Sequence, residues 1–162
     1  MIILNSGGTF NKRYNPLSGQ LEVPYDNEAV ETILSYFSTK IELAGVIYKD
    51  SLEMTLEDRK MLTNIIYESK ERVFIVVHGT DTMDQTAEFF ANIFEDRIIV
   101  LTGAMIPFEI DPIEASANLA LAIGYAKACD KNGIYIAMQG EVASWDKIVK
   151  NRAEGRFEIV ED

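Results

Sequence analysis

The chain has 162 residues, of which 48% are apolar, enough to bury the core of one compact domain. Its formal charge of −11 disfavours nucleic acid and anionic membrane as partners, because both reward clustered Lys and Arg. The single cysteine, Cys129, excludes an internal disulfide and suits a reducing compartment; no apolar run approaches the roughly 20 residues that cross a bilayer.

The predicted elements alternate strand and helix. Ile2-Ile3-Leu4 is a first strand, cut off by Ser6-Gly7-Gly8. No basic leader precedes it, so a soluble, cytoplasmic protein is expected. Residues 11–24 read as a long loop, with turn signals at Asn15-Pro16 and Ser18-Gly19. Val30, Ile33, Leu34 and Phe37 recur at helical spacing, predicting a helix over 27–38 with Asp26 as its N-cap. A second strand covers 41–48. Thr55-Leu56-Glu57-Asp58 resembles a capping box and opens a helix to about residue 70. Residues 73–77 form a continuous apolar run, as suits a central parallel strand buried on both faces. Met83, Ala87, Phe90 and Phe94 mark the next helix. A fourth strand over 98–101, an Ala-rich helix over 114–129 and a fifth strand over 134–138 complete the pattern. Such alternation predicts a mostly parallel sheet with helices on both faces.

Ligands of these sheets bind outside the carboxyl ends of the strands. Those ends carry Gly7-Gly8-Thr9-Phe10, Asp50-Ser51 to Met54-Thr55, His78-Gly79-Thr80-Asp81-Thr82-Met83 and Thr102-Gly103-Ala104-Met105. Glycine lets backbone approach a ligand closely, and hydroxyls supply nucleophiles or hydrogen bonds. Each residue also has an ordinary reading. Gly7-Gly8 can be a tight turn, and Ser51, Thr55, Asp81 and Thr82 can be helix caps. Lys150 can be a solvated surface lysine. His78, the only histidine, reads as a packing or backbone-bonding residue. The combination is what points to chemistry.

Several chemistries fall away. Gly7-Gly8-Thr9 lacks the later glycine of a dinucleotide fingerprint, and no phosphate-loop Gly-Lys-Ser/Thr occurs. One His and one Cys are too few for the usual zinc pattern, and there is no Gly-x-Ser-x-Gly elbow. No cofactor and no metal are expected.

The Gly7–Phe10 and His78–Met83 segments resemble the two signatures of the bacterial-type L-asparaginase family. The segments after the second and fourth strands resemble its next two motifs, in the same order. The resemblance implies a three-layer, doubly wound α/β domain of the Rossmann-like or flavodoxin-like kind. It identifies residues 1–162 as the N-terminal domain standing alone, without the family's smaller C-terminal domain. It implies hydrolysis of L-asparagine to aspartate and ammonia through a threonine acyl-enzyme. Thr9 is then the nucleophile, and Tyr14 matches the lid tyrosine that helps activate it. Thr80, Asp81 and Lys150 match a second polar triad; Lys150 is placed by counting on from the fifth strand. Ser51 matches the ligand of the substrate α-carboxylate, and Asp81 also matches the partner of its ammonium. The Ala104 carbonyl would hold the leaving nitrogen. The backbone about Gly8 and Gly79 would line the site and supply oxyanion donors.

A threonine hydroxyl needs a base or a strong field to attack. With no usable histidine, tyrosine and lysine carry that task. Leu52 stands where many members place a polar residue toward the substrate amine, and a carboxylate such as Glu53, or one from a partner subunit, would replace the second domain's acidic contact. A partly apolar surface in place of that domain favours a homo-oligomer. Two other readings are kept: an amino-acid-binding or regulatory domain with little turnover, and an amidase for glutamine or another amide.

Overall fold

The computed structural model describes residues 1–160. Its centre is a six-stranded sheet in the order β4-β1-β5-β6-β7-β8, formed by β1 (Ile2–Gly7), β4 (Glu42–Lys49), β5 (Val73–Val77), β6 (Ile98–Thr102), β7 (Gly133–Met138) and β8 (Glu141–Ser144). The first five strands pair in parallel, and β8 runs antiparallel to β7 at one edge. All six residues of β1 and all five of β6 are buried, as expected of strands covered on both faces.

Alternate residues of each strand feed two separate cores. Leu4, Phe74, Val76 and Leu101 pack against Leu62 and Ile66 of α2 (Leu56–Glu68) and Met83, Ala87 and Phe90 of α3 (Met83–Ala91). Ile3, Ile75, Val77 and Val100 pack on the other side, against Val30 and Ile33 of α1 (Glu28–Leu34) and Leu119, Ala122 and Ala126 of α4 (Pro112–Ala128). The result is the expected three-layer, doubly wound α/β architecture.

Three expectations need correction. The stretch 11–24 is not a plain loop: β2 (Arg13–Asn15) and β3 (Gln20–Glu22) pair as a hairpin, whose exposed polar residues gave no strand signal. The N-cap of α1 is Asn27, not Asp26, and the helix ends at Leu34. Asn27 makes no capping bond because its Oδ1 accepts from Asn5, while Asp26 accepts from the Glu28 amide and pairs with Arg13. After β8 the chain adds a further hairpin, β9 (Ile148–Asn151) with β10 (Arg156–Ile159).

In chain order the parallel strands lie second, first, third, fourth, fifth across the sheet. The order reverses between β1 and β5, which is where a crevice opens at the carboxyl ends of such a sheet. Thr9 follows β1 and Thr80 follows β5.

Candidate active site

Close backbone contact assembles the site. Gly8 has φ 75°, and its N–H donates to the Lys49 carbonyl at 2.8 Å. A Cβ on Gly8 would stand 2.5 Å from Gly79 N and Cα, and one on Gly79 would stand 2.5 Å from Ser51 Cβ. No side chain fits at either position, so the loops after β1, β4 and β5 touch directly there. The loop after β6 joins them, since a Cβ on Gly103 would meet the His78 carbonyl at 2.4 Å. Ala104 is buried beyond it. Its neighbours are held by α4: Asn118 Nδ2 donates to the Gly103 carbonyl at 2.9 Å, and the Met105 and Ile106 amides donate to the Glu114 carboxylate at 3.1 and 3.0 Å.

The second triad is in hydrogen-bonded contact. Lys150 Nζ donates to Thr80 Oγ1 at 2.8 Å and to Asp81 Oδ1 at 2.7 Å. Lys150 lies on β9 opposite Phe157 of β10, and the Phe157 amide donates to Gln139 Oε1 at 2.9 Å. Gln139 sits just past β7 at φ 53°, so a strained turn residue helps seat the lysine hairpin. Because Lys150 donates, the Thr80 oxygen is an acceptor and its own proton points elsewhere. Sequence reasoning missed Arg152. Its Nη2 donates to the Asp81 carbonyl at 2.9 Å, and its Nε stands 3.9 Å from Asp81 Oδ1. An isolated surface arginine leaves no motif by which to find it. Thr80, Asp81, Lys150 and Arg152 line a cavity of about 230 Å³ floored by Ile136, Ile148 and Phe157.

Thr9 opens a 3-10 turn, Thr9–Asn11, closed by bonds from the Asn11 amide to Gly8 O and the Lys12 amide to Thr9 O, both 3.1 Å. Thr9 is half-buried. Tyr14 stands on the β2–β3 hairpin, 57% exposed. Its amide donates to Glu109 at 2.7 Å, and its hydroxyl makes no hydrogen bond to Thr9 among the described residues.

The loop after β4 is tied from both sides. Ser51, 2% exposed, accepts the Asp81 amide on its Oγ at 3.2 Å, and its carbonyl accepts the Thr82 hydroxyl at 2.8 Å. Ser51 and Thr82 therefore bridge two loops rather than cap helices, although Thr82 occupies the N-cap position of α3. Thr55 does cap α2, in a complete box with Asp58. Asp50 and Glu53 form another box about Ser51–Glu53, so Glu53 is already engaged. Burial pushes the Asp50 carboxyl up, but the ion pair with Lys12, the Leu52 amide and the charge of Lys150 together hold it below its ordinary value. Leu52 is 75% exposed.

His78 is structural, as expected. It is fully buried, with Nδ1 2.7 Å from the Gly79 carbonyl and Nε2 2.9 Å from Thr86 Oγ1. Arg59 Nε donates to the same hydroxyl at 2.9 Å. The Gly79 carbonyl can only accept, so the proton is on Nδ1; in the neutral ring Nε2 then accepts from Thr86. Burial pushes the ring's pKa down to about 4, and Arg59 adds to the effect against the Gly79 bond.

The fold and the joined threonine loops define an α/β domain of asparaginase type. The family model "Asparaginase, N-terminal" matches residues 1–159, and the chain belongs to that family. Among curated relatives it is 29% identical over 161 residues to the probable periplasmic L-asparaginase of Haemophilus influenzae, covering 91% of this chain and 45% of that protein. It is 24% identical over 160 residues to the L-asparaginase of Thermococcus kodakarensis, covering 96% and 48%. The solved structure of the thermostable L-asparaginase from Thermococcus kodakarensis superposes with a TM-score of 0.85 at 22% identity, over 99% of this chain and 51% of that one. The chain thus spans about half the length of the relatives it matches.

Proposed function

We propose that this domain carries the catalytic half of an amidohydrolase that converts L-asparagine to L-aspartate and ammonia. The observation that carries the reading is the hydrogen-bonded Lys150–Thr80–Asp81 triad, whose Thr80 and Asp81 stand on a loop packed glycine to glycine against the loop that carries Thr9. In the proposed course, Thr9 Oγ attacks the side-chain amide carbon. The proton that the Thr9 hydroxyl gives up is passed by way of Thr80 and Lys150 to the departing nitrogen, the C–N bond breaks, and ammonia leaves. Water then attacks the threonine ester, releasing aspartate and restoring the hydroxyl. Gly8 N–H is spent on Lys49 O, so the oxyanion must take its donors from other amides of these loops, each typically worth about 3 kcal/mol. Tyr14, on the exposed hairpin, would help to activate Thr9. Ser51 would hold the substrate carboxylate, Asp81 its ammonium, and the Ala104 carbonyl the amide nitrogen. No cofactor takes part.

Rapid quenching during turnover, followed by intact-mass analysis, tests the route. A covalent acyl adduct mapping to Thr9 is expected; turnover with no adduct, or with one on another residue, contradicts it. A second reading rests on the prior engagement of Ser51 and Asp81 and on exposed Leu52: an amino-acid-binding domain with little turnover. Calorimetric binding of aspartate without ammonia release from asparagine, glutamine or other amides would favour it. The apolar side chains exposed around the hairpin and the β4 loop, Leu17, Tyr25 and Leu52 among them, further support self-association of a cytoplasmic protein.

A further inference from the structure

Among the described residues the Thr9 hydroxyl makes no hydrogen bond, so where it points depends on the backbone of the turn. Two buried asparagines fix that backbone. Asn5, within β1, is fully buried, and Asn11, at the end of the 3-10 turn, is 3% exposed. Their carboxamides close a ring: Asn5 Nδ2 donates to Asn11 Oδ1 at 3.0 Å, and Asn11 Nδ2 donates back to Asn5 Oδ1 at 2.9 Å. The second proton of each amide is also used. Asn5 gives it to Asn27 Oδ1 at 2.9 Å, and Asn11 gives it to the Gly7 carbonyl at 2.7 Å. Asn5 Oδ1 further accepts the Gly7 amide at 3.1 Å. Side chains thus hold both backbone polar groups of Gly7, and the Asn5 carboxamide makes every bond open to it.

Apolar residues in this space would leave the buried N–H and C=O of Gly7 without partners, and an incompletely bonded amide here would be costly as well. What the ring adds is direction. It fixes the angle at which the strand enters the turn, and it does so from both sides of Thr9 in the chain. Asn27 ties the ring to the start of α1.

We propose that the Asn5–Asn11 amide pair, anchored by Asn27, is the positioning device that aims the Thr9 hydroxyl. The inference rests on reading Thr9 as the nucleophile. Misplacing a reacting atom by a fraction of its approach distance is enough to slow an attack strongly, while binding determinants on other loops stay put.

The test compares the native chain with Asn5→Ala, Asn11→Ala, the milder Asn27→Ala and the double variant Asn5→Ala/Asn11→Ala. On L-asparagine, Asn11→Ala should lose about ten-fold or more in kcat with KM changed less than about two-fold, and Asn27→Ala should lose less. The double variant should be no slower than the worse single one, because both substitutions break the same ring. Amide hydrogen exchange provides a readout independent of turnover. Protection at Gly7 and Lys12 should drop in the variants while Ile75 in β5 keeps its own. A kcat within about two-fold of native overturns the proposal, and so does equal loss of protection at Ile75, which would mean general destabilisation. If the native chain releases no ammonia from any amide, the nucleophile reading fails separately. Exchange then decides alone: selective loss at Gly7 and Lys12 upholds the role in holding the turn, and retained protection overturns it.

Discussion

Thr80 and Thr9 carry the same hydroxyl in opposite situations. Thr80 is almost fully buried and accepts a bond from Lys150; Thr9 is half-buried, and its hydroxyl makes no hydrogen bond among the described residues. A nucleophile must be free to turn toward its substrate, whereas a proton relay must stay on its partner, so the two geometries match the two proposed roles. Beneath Thr80, His78 is held neutral by burial, with its proton on Nδ1. The consequence for stability has a definite sign. Below its ordinary value of 6.5, the unfolded chain takes up a proton that the folded chain refuses until about pH 4. Stability therefore falls as the pH drops through that window and levels off beneath it, a change of about 3 kcal/mol. Because His78 is the only histidine, its ring resonances can be followed by NMR without ambiguity. They should remain those of the neutral Nδ1–H form at pH 5; protonation in the folded protein with a midpoint near 6.5 would contradict the buried, neutral ring described here.

Among the elements, α2 shows how a cap can tie a helix to the sheet. Asp58 accepts from the Thr55 amide and hydroxyl, both at 2.8 Å, and from Nζ of Lys49, the last residue of the edge strand β4, at 2.8 Å. Its carboxyl lies below the ordinary range: burial raises it, but Lys49 and Thr55 outweigh that. Thr55→Ala should cost about 1 kcal/mol in urea unfolding; no change would mean that Lys49 and the backbone amide of residue 55 suffice to hold the carboxylate. This box was legible because Thr and Asp three apart ahead of an apolar period carry their mechanism in the sequence. So were the five parallel strands, the central ones through the continuous apolar runs that double burial writes. The hairpins were not. β2, β3 and β9 alternate polar residues on partly exposed surfaces, and their pairing depends on partners such as Glu109 and Gln139, far off in the chain. Lys150 could be placed only by counting onward from β7. Asn5 and Asn11 were legible as residues but not as a pair: an asparagine ending an apolar strand looks like the start of a turn, and only the fold brings the second amide to it.

At the scale of the whole molecule, the sheet order places β1 beside β5 and so makes the crevice. The glycines at its edge then let four loops meet without side chains between them. Among the described residues, no helix is long and apolar enough to cross a membrane. The exposed apolar residues around the hairpin and the site mouth, set against a charge of −11, should bring copies together more firmly as salt screens their repulsion. Sedimentation at increasing salt should show a rising share of dimer or larger species; a monomer at every protein and salt concentration would count against self-association. The central claim is that two threonines divide one hydrolysis between them. It is tested most directly by ammonia release from L-asparagine by the native chain, Thr9→Ala and Thr80→Val, each confirmed as folded. The expected result is release by the native chain, none measurable from Thr9→Ala, and a fall of about a hundred-fold or more in Thr80→Val as Lys150 loses its relay. Equal rates in all three would contradict it.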